Sequence, residues 1–222
     1  MELSGGGWAR FTARPDGDMG HGGAYVHRVS PKVAVRRRAV VDLPWTWLRQ
    51  VNGAGVVTVT SPGGGAGTQA DAAVTASPGS ALAVLTADCA PVALASPEGI
   101  VGVAHAGWAG LVAGVVPRTV EAMAALGATD LSAVVGPCIG PECYEFGDDH
   151  LDAVAAAVGP EVRSRTPDGR PALDLRAGVR AALSRSGVLD VADISVCTAC
   201  SVSHWSWRAR RDNHRQALVV WR

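Results

Sequence analysis

Apolar residues along this chain fall into short runs separated by glycine-rich or polar breaks. Pro44–Leu48 and Val56–Thr60 alternate apolar and polar side chains, the period of a half-buried strand. Ala81–Leu85, Pro91–Leu94 and Ile100–Ala104 are continuously apolar, as strands covered on both faces are. Residues 111–126 place Val112, Val116, Val120 and Met123 at helical spacing, with Pro117 near the first turn. Leu131–Val135, Ile194–Cys197 and Gln216–Trp221 read as further strands. Asp148–Val158 and Leu173–Ser186 read as helices, with Asp149 and Asp174 near the starts, where the helix dipole favours negative charge. Between these elements, Arg49–Ala54 is a loop around Gly53 and Ser61–Ala66 a flexible excursion. The first 35 residues look irregular, with short strand-like pieces such as Ala24–Arg28. With no internal repeat and no clean linker, the pattern predicts one α/β (α+β) domain over residues 1–222, with mixed sheets flanked by helices.

Composition narrows the classes. The chain has 222 residues, 48% of them hydrophobic and 18% charged, enough to bury a sizeable core. No apolar run reaches the roughly 18–20 residues of a membrane span. The start MELSGGGWARF lacks the basic and apolar regions of a secretory signal, so the expected compartment is the cytoplasm. A formal net charge of zero argues against nucleic-acid or membrane-surface binding through bulk charge. Lys32 is the only lysine among 20 basic residues, and Arg208, Arg210, Arg211 and Arg215 cluster near the C-terminus. Arginine forks suit carboxylates and phosphates, although a solvated basic face is the plainer reading of charge alone.

The candidate chemistry lies in three loops that follow predicted strands. Thr86–Pro91 sets Asp88 beside Cys89 between two apolar runs, His105–Gly110 follows a third, and Gly136–Glu145 is turn-rich and contains Cys138 and Cys143. His105 is either a core histidine satisfied by a backbone carbonyl or a functional group at a strand end, where α/β sheets tend to bind ligands. Cys89 is either a small hydrophobe or a thiol at a loop mouth. Zinc accepts imidazole and thiolate, so Cys89 and His105 could both serve, but two ligands do not make a site. Cys197 and Cys200 form a C-x-x-C with no second pair in sequence to complete a zinc site, which reads as structural or incidental.

The segments TADCAPVAL, HAGWAG, GPCIGPECYEF and SWRARRDNHRQALVVW occur in that order. Together they resemble the bacterial YfiH-like laccase-domain family, formerly labelled polyphenol oxidase and now described as zinc-dependent purine nucleoside phosphorylases. The resemblance runs from about residue 49 to the C-terminus. It implies a mixed α/β sandwich holding Zn2+ through the histidine of a QVHG motif, the cysteine of ADC and the histidine of HAGW. The second and third fall on Cys89 and His105. At the first, this chain reads Gln50-Val-Asn52-Gly53, with asparagine in place of the metal histidine. An amide oxygen is a poor partner for zinc beside imidazole and thiolate. His21, His27, His204 and His214 are the candidate substitutes. Two further departures are Ala109, where the family has the arginine of HAGWRG, and the terminal elements, which keep Arg208 and Arg215 but not their neighbours.

The resemblance implies phosphorolysis of inosine, adenosine or methylthioadenosine to base and sugar 1-phosphate, with adenosine deamination as a second activity. The implied partners are a purine nucleoside and inorganic phosphate. Cys89, His105 and Asp88 are the expected catalytic group, Asp88 either orienting His105, accepting a proton or only capping a turn. Arg208 and Arg215 are expected on phosphate, Cys89, His105 and the Asn52 position on the metal, and Tyr144 and Trp108 against the purine or in the core. Cys138 and Cys143 are expected to be structural. A second reading is a non-catalytic relative binding a nucleoside or a protein partner, favoured by Asn52 and Ala109. A copper polyphenol oxidase comes third, because the six histidines are scattered with no H-x-H pair.

Overall fold

A computed structural model describes residues 1–20 and 29–222. The expected strand-like piece Ala24–Arg28 and the substitute ligands His21 and His27 lie outside the described residues. The chain runs β1 (Trp8–Phe11), α1 (Pro31–Val40), β2 (Trp45–Trp47), β3 (Val56–Val59), β4 (Ala72–Thr75), β5 (Ala81–Thr86), β6 (Ala90–Ala95) and β7 (Val101–Ala106). It continues through α2 (Trp108–Ala113), α3 (Val115–Ala125), β8 (Ser132–Val135), α4 (Asp148–Val158), β9 (Arg163–Arg165) and β10 (Pro171–Leu173). The last elements are α5 (Leu175–Arg185), β11 (Asp190–Asp193), α6 (Trp207–Arg210) and β12 (Gln216–Trp221).

A mixed six-stranded sheet, β11-β8-β6-β7-β4-β3, packs on a four-stranded sheet, β1-β12-β5-β2, with β9 and β10 forming a separate hairpin. The apolar runs predicted as doubly covered strands are these central strands, buried along most of their length. Their two faces feed two cores. Val92 and Leu94 of β6 join Met123 of α3, Val154 of α4 and Val179 of α5 on the helical side. Ala93, Ala95, Val101 and Val103 meet Leu82, Val84, Leu218 and Val220 between the sheets. The outer face of the small sheet, Ala83 and Val219, packs on Met19 and Trp45. The period of two along β7 therefore puts His105 on the same face as Val101 and Val103, at the end of the cleft between the sheets.

Several expected boundaries move. The helix expected over 111–126 begins at Trp108 and breaks at Gly114, whose left-handed φ of 86° ends α2 and lets Pro117 enter the first turn of α3. The strand expected at Ile194–Cys197 lies at Asp190–Asp193 instead, where β11 pairs parallel with β8. Its terminal aspartates and half-exposed side chains hide an edge strand from an apolar-run reading. Leu173 ends a strand, and α5 starts after Asp174, which accepts the Ala177 amide as N-cap. Helix α1 carries three consecutive arginines, Arg36–Arg38, and little amphipathic pattern, so the irregular reading of the first 35 residues missed its start, as it missed β1; the short β4 was likewise not among the expected strands. The excursion Ser61–Ala66 is a chain of tight turns tied to Trp47 through the Gly67 amide.

Candidate active site

Pro91 of β6 lies opposite His105 of β7 in the antiparallel register, so the residue two before Pro91 emerges beside the residue two after His105. Cys89 and Gly107 occupy those positions. A Cβ on Gly107 would lie 3.0 Å from Cys89 Sγ and 2.6 Å from Asn52 Oδ1, so only glycine leaves room for the two side chains to converge there. Asn52 adopts a left-handed backbone with φ of 57°, a conformation asparagine tolerates better than most residues. Gln50 holds its loop to β5 by donating to the Leu85 carbonyl and accepting from the Leu85 amide, both at 2.8 Å.

The organising residue is Asp71, fully buried just before β4. Its carboxylate accepts from the amides of Val51 (3.1 Å), Asn52 (2.9 Å) and Gly53 (2.8 Å), and Oδ1 lies 2.9 Å from His105 Nδ1. One buried carboxylate thus fixes both the Asn52 loop and the imidazole, leaving Nε2 as the ring nitrogen toward Cys89. Burial works against the charge on Asp71, but the bonds from His105, Gly53 and Val51 outweigh it and hold its pKa below the ordinary value. For His105, burial likewise lowers the pKa, but the Cys89 sulfur and Asp71 overcome it and push the imidazole up to about 9. Sequence reasoning missed Asp71 and Gln50. The available signal was a lone acid inside the apolar stretch Ala70–Val74.

Asp88 does not orient His105; that role falls to Asp71. Asp88 itself sits at φ 99° and its oxygens are taken by Thr198 Oγ1 (2.7 Å) and the Arg208 amide (2.6 Å). It joins the Cys89 loop to the C-terminal segment. The Arg208 guanidinium is exposed and lies 4.8 Å over the Tyr144 ring. Burial and then the Cys89 sulfur push the Tyr144 hydroxyl up to about 12, with Arg208 pulling the other way. Arg208 also lines an open cavity of about 240 Å³ with Trp108, Glu145, Phe146, Gly147 and His150. Trp108 stacks edge-on against Phe146 and His150, each at 5.7 Å. Arg215 turns its Nη1 onto the carbonyls of Asp212 (3.0 Å) and His214 (2.8 Å). Arg210 and Arg211 lie on backbone carbonyls and on Trp207, respectively. The four clustered arginines therefore do not converge on one point.

As a metal centre, Cys89 Sγ and His105 Nε2 are suitable zinc donors, and the Asp71 carboxylate behind the imidazole is the usual second partner of a ligating histidine. Asn52 Oδ1 adds a neutral oxygen, a weaker zinc donor than imidazole or thiolate. The two other candidate substitutes are engaged elsewhere: His204 Nδ1 lies 2.8 Å from Ser201 Oγ, and His214 stacks on Trp205. Among the described residues, the one group of three or more His, Cys, Asp or Glu side chains able to hold a metal ion is a different one: Glu142, Cys143, Cys197 and Cys200. The C-x-x-C that looked isolated in sequence thus finds a third cysteine and a carboxylate across the fold, and Cys143 is not a lone structural thiol.

No helix among the described residues is long and apolar enough to cross a membrane. Over 96% of its length, the chain is 44% identical to a Streptomyces coelicolor protein named purine nucleoside phosphorylase, covering 92% of that protein. Its fold is similar to a crystal structure of YlmD from Geobacillus stearothermophilus, with a TM-score of 0.83, 28% identity, and coverage of 98% of this chain and 92% of the other. A hypothetical protein YfiH from Bacillus licheniformis shares the fold at a TM-score of 0.83, with 24% identity and coverage of 97% and 92%. Residues 25–222 match the family described as multi-copper polyphenol oxidoreductase laccase, and with that match the chain belongs to this YfiH-like laccase-domain family.

Proposed function

We propose that this protein is a purine nucleoside phosphorylase of the cytoplasm, splitting inosine, adenosine or methylthioadenosine into base and sugar 1-phosphate, with adenosine deamination as a second activity. The observation that carries the reading is the convergence of Cys89, His105 and Asn52 at Gly107, with Tyr144 and Arg208 alongside. In phosphorolysis a phosphate oxygen forms a bond to the sugar carbon as the bond to the base nitrogen breaks, and the electron pair leaves with the base. The protein's task is to place the phosphate and to stabilise separated charge. Arg208 offers an exposed fork for the phosphate, held at its backbone by Asp88 and at its guanidinium by Tyr144. Trp108 and Tyr144 supply aromatic faces for the purine. A zinc ion held by Cys89 and His105 would supply Lewis acidity and a bound water of lowered pKa, the chemistry that deamination needs.

A second reading, a non-catalytic relative that binds a nucleoside, rests on Asn52 in the metal-histidine position. The test of both is purine release from inosine and adenosine, with and without phosphate, on protein of known metal content. Phosphate-dependent release is expected, and Arg208→Ala should raise the KM for phosphate about tenfold or more, the worth of a charge-assisted bond. Absence of release at full zinc loading would overturn the phosphorylase reading.

A further inference from the structure

We propose that Glu142, Cys143, Cys197 and Cys200 form a closed structural zinc site, separate from the group at Gly107, which staples the segment after β8 to the segment after β11. The four ligand atoms lie within 4.8 Å of one another, with Cys143 Sγ 3.3 Å from Cys200 Sγ and Cys200 Sγ 3.7 Å from Glu142 Oε1. Tetrahedral zinc, with Zn–S near 2.3 Å and Zn–O near 2.0–2.2 Å, places its ligands roughly 3.5–3.8 Å apart. Closing the group on an ion needs only small side-chain movements.

Three local features are built for a metal thiolate. The Gly140 amide donates to Cys197 Sγ at 3.2 Å, and the Cys200 amide also donates to that sulfur, so the turn Cys197–Cys200 wraps its first cysteine in N–H groups. Such donors suit a thiolate sulfur far better than a neutral thiol. Gly140 has no Cβ where one would collide with the Glu142 carboxylate, which allows Glu142 to fold back over the cluster. Arg210 clamps the same turn from outside, donating to the carbonyls of Ala199 (2.7 Å) and Thr198 (3.0 Å). Three thiolates and one carboxylate on Zn2+ leave the cluster anionic. Binding releases the three thiol protons to solvent.

The location gives the staple a consequence. Cys143 precedes Tyr144, on which Arg208 rests, and Thr198 lies within the C-x-x-C turn and donates to Asp88. The zinc therefore holds both segments that carry the neighbours of Cys89. With four protein ligands it has no open position, so its role is structural.

The test measures zinc per chain by mass spectrometry in the parent protein, in Cys89→Ser and in the double variant Cys197→Ser with Cys200→Ser. Close to one zinc per chain should survive Cys89→Ser, and the double variant should lose about one zinc per chain relative to the parent. A readout on the parent needs no variant to fold: Cys143, Cys197 and Cys200 should resist maleimide alkylation in the zinc-loaded protein and react once a chelator is added. Zinc that disappears with Cys89→Ser but persists in the double variant would overturn the proposal. So would equal alkylation of the three cysteines with and without metal, or an intact mass showing a Cys143–Cys200 disulfide in freshly purified protein.

Discussion

The substitution Asp71→Asn tests whether one buried carboxylate assembles the candidate site. The carboxylate accepts from three backbone amides and faces His105 Nδ1, all between 2.8 and 3.1 Å. A hydrogen bond to a charged acceptor is worth about 1 kcal/mol more than a neutral one, so four of them set an upper value of about 4 kcal/mol. Val51 is 49% exposed, and water can reach the loop amides once they are released. The expected destabilisation in urea unfolding is therefore about 2–4 kcal/mol. If the amide nitrogen of the variant side chain faces the ring, Nδ1 must become an acceptor and the ring proton moves to Nε2, the nitrogen toward Cys89. Metal affinity should then fall about 10–100-fold, the usual cost of losing the carboxylate behind a ligating histidine. The pKa of Asp71 is depressed by folding, so its contribution is present above the unfolded value of about 3.9 and is lost as pH falls through the lower folded value. The gap between parent and variant should accordingly close in acid. A variant within about 0.5 kcal/mol of the parent at neutral pH, with unchanged zinc affinity, would refute the assignment of Asp71 as organiser.

Three further substitutions probe the same region. Asn52→His should raise zinc affinity in isothermal titration, because histidine also tolerates the left-handed φ of 57° and brings an imidazole beside Cys89; unchanged affinity would mean that Cys89 and His105 do not share an ion. Gly107→Ala drives a Cβ to 2.6 Å from Asn52 Oδ1 and 3.0 Å from Cys89 Sγ, so thermal unfolding should show a loss of about 1–3 kcal/mol together with weaker zinc binding. Asp88→Ala leaves Thr198 Oγ1 and the Arg208 amide without their acceptor and should cost about 2–4 kcal/mol in urea unfolding. Faster amide exchange at Arg208 in that variant would show the lost tie directly.

Much of the site was legible because its residues sit in short, chemically distinctive segments. An acid beside a thiol, a histidine ending an apolar run and a glycine-tryptophan turn stand out against alanine and valine, and the strand period places Cys89 and His105 on one face. Asp71 was hidden for the opposite reason. Its partners Asn52 and His105 are 19 and 34 residues away, and an aspartate before Ala-Ala-Val carries no local mark of what it will bind. The same holds for Gln50, whose partner Leu85 is 35 residues away.

The sequence by itself determined the central strands, the helices at 148–158 and after Asp174, and the family, because apolar periodicity, capping residues and ordered motifs are properties of neighbouring positions. Tertiary structure alone decided which carboxylate meets His105, what Asp88 holds, and that Cys143 and Glu142 join a C-x-x-C far downstream in the chain. The physical reason is one of range: hydrophobic burial sets the strand faces locally, whereas a buried charge or thiol is partnered by whatever the register of distant strands and loops brings within bonding distance.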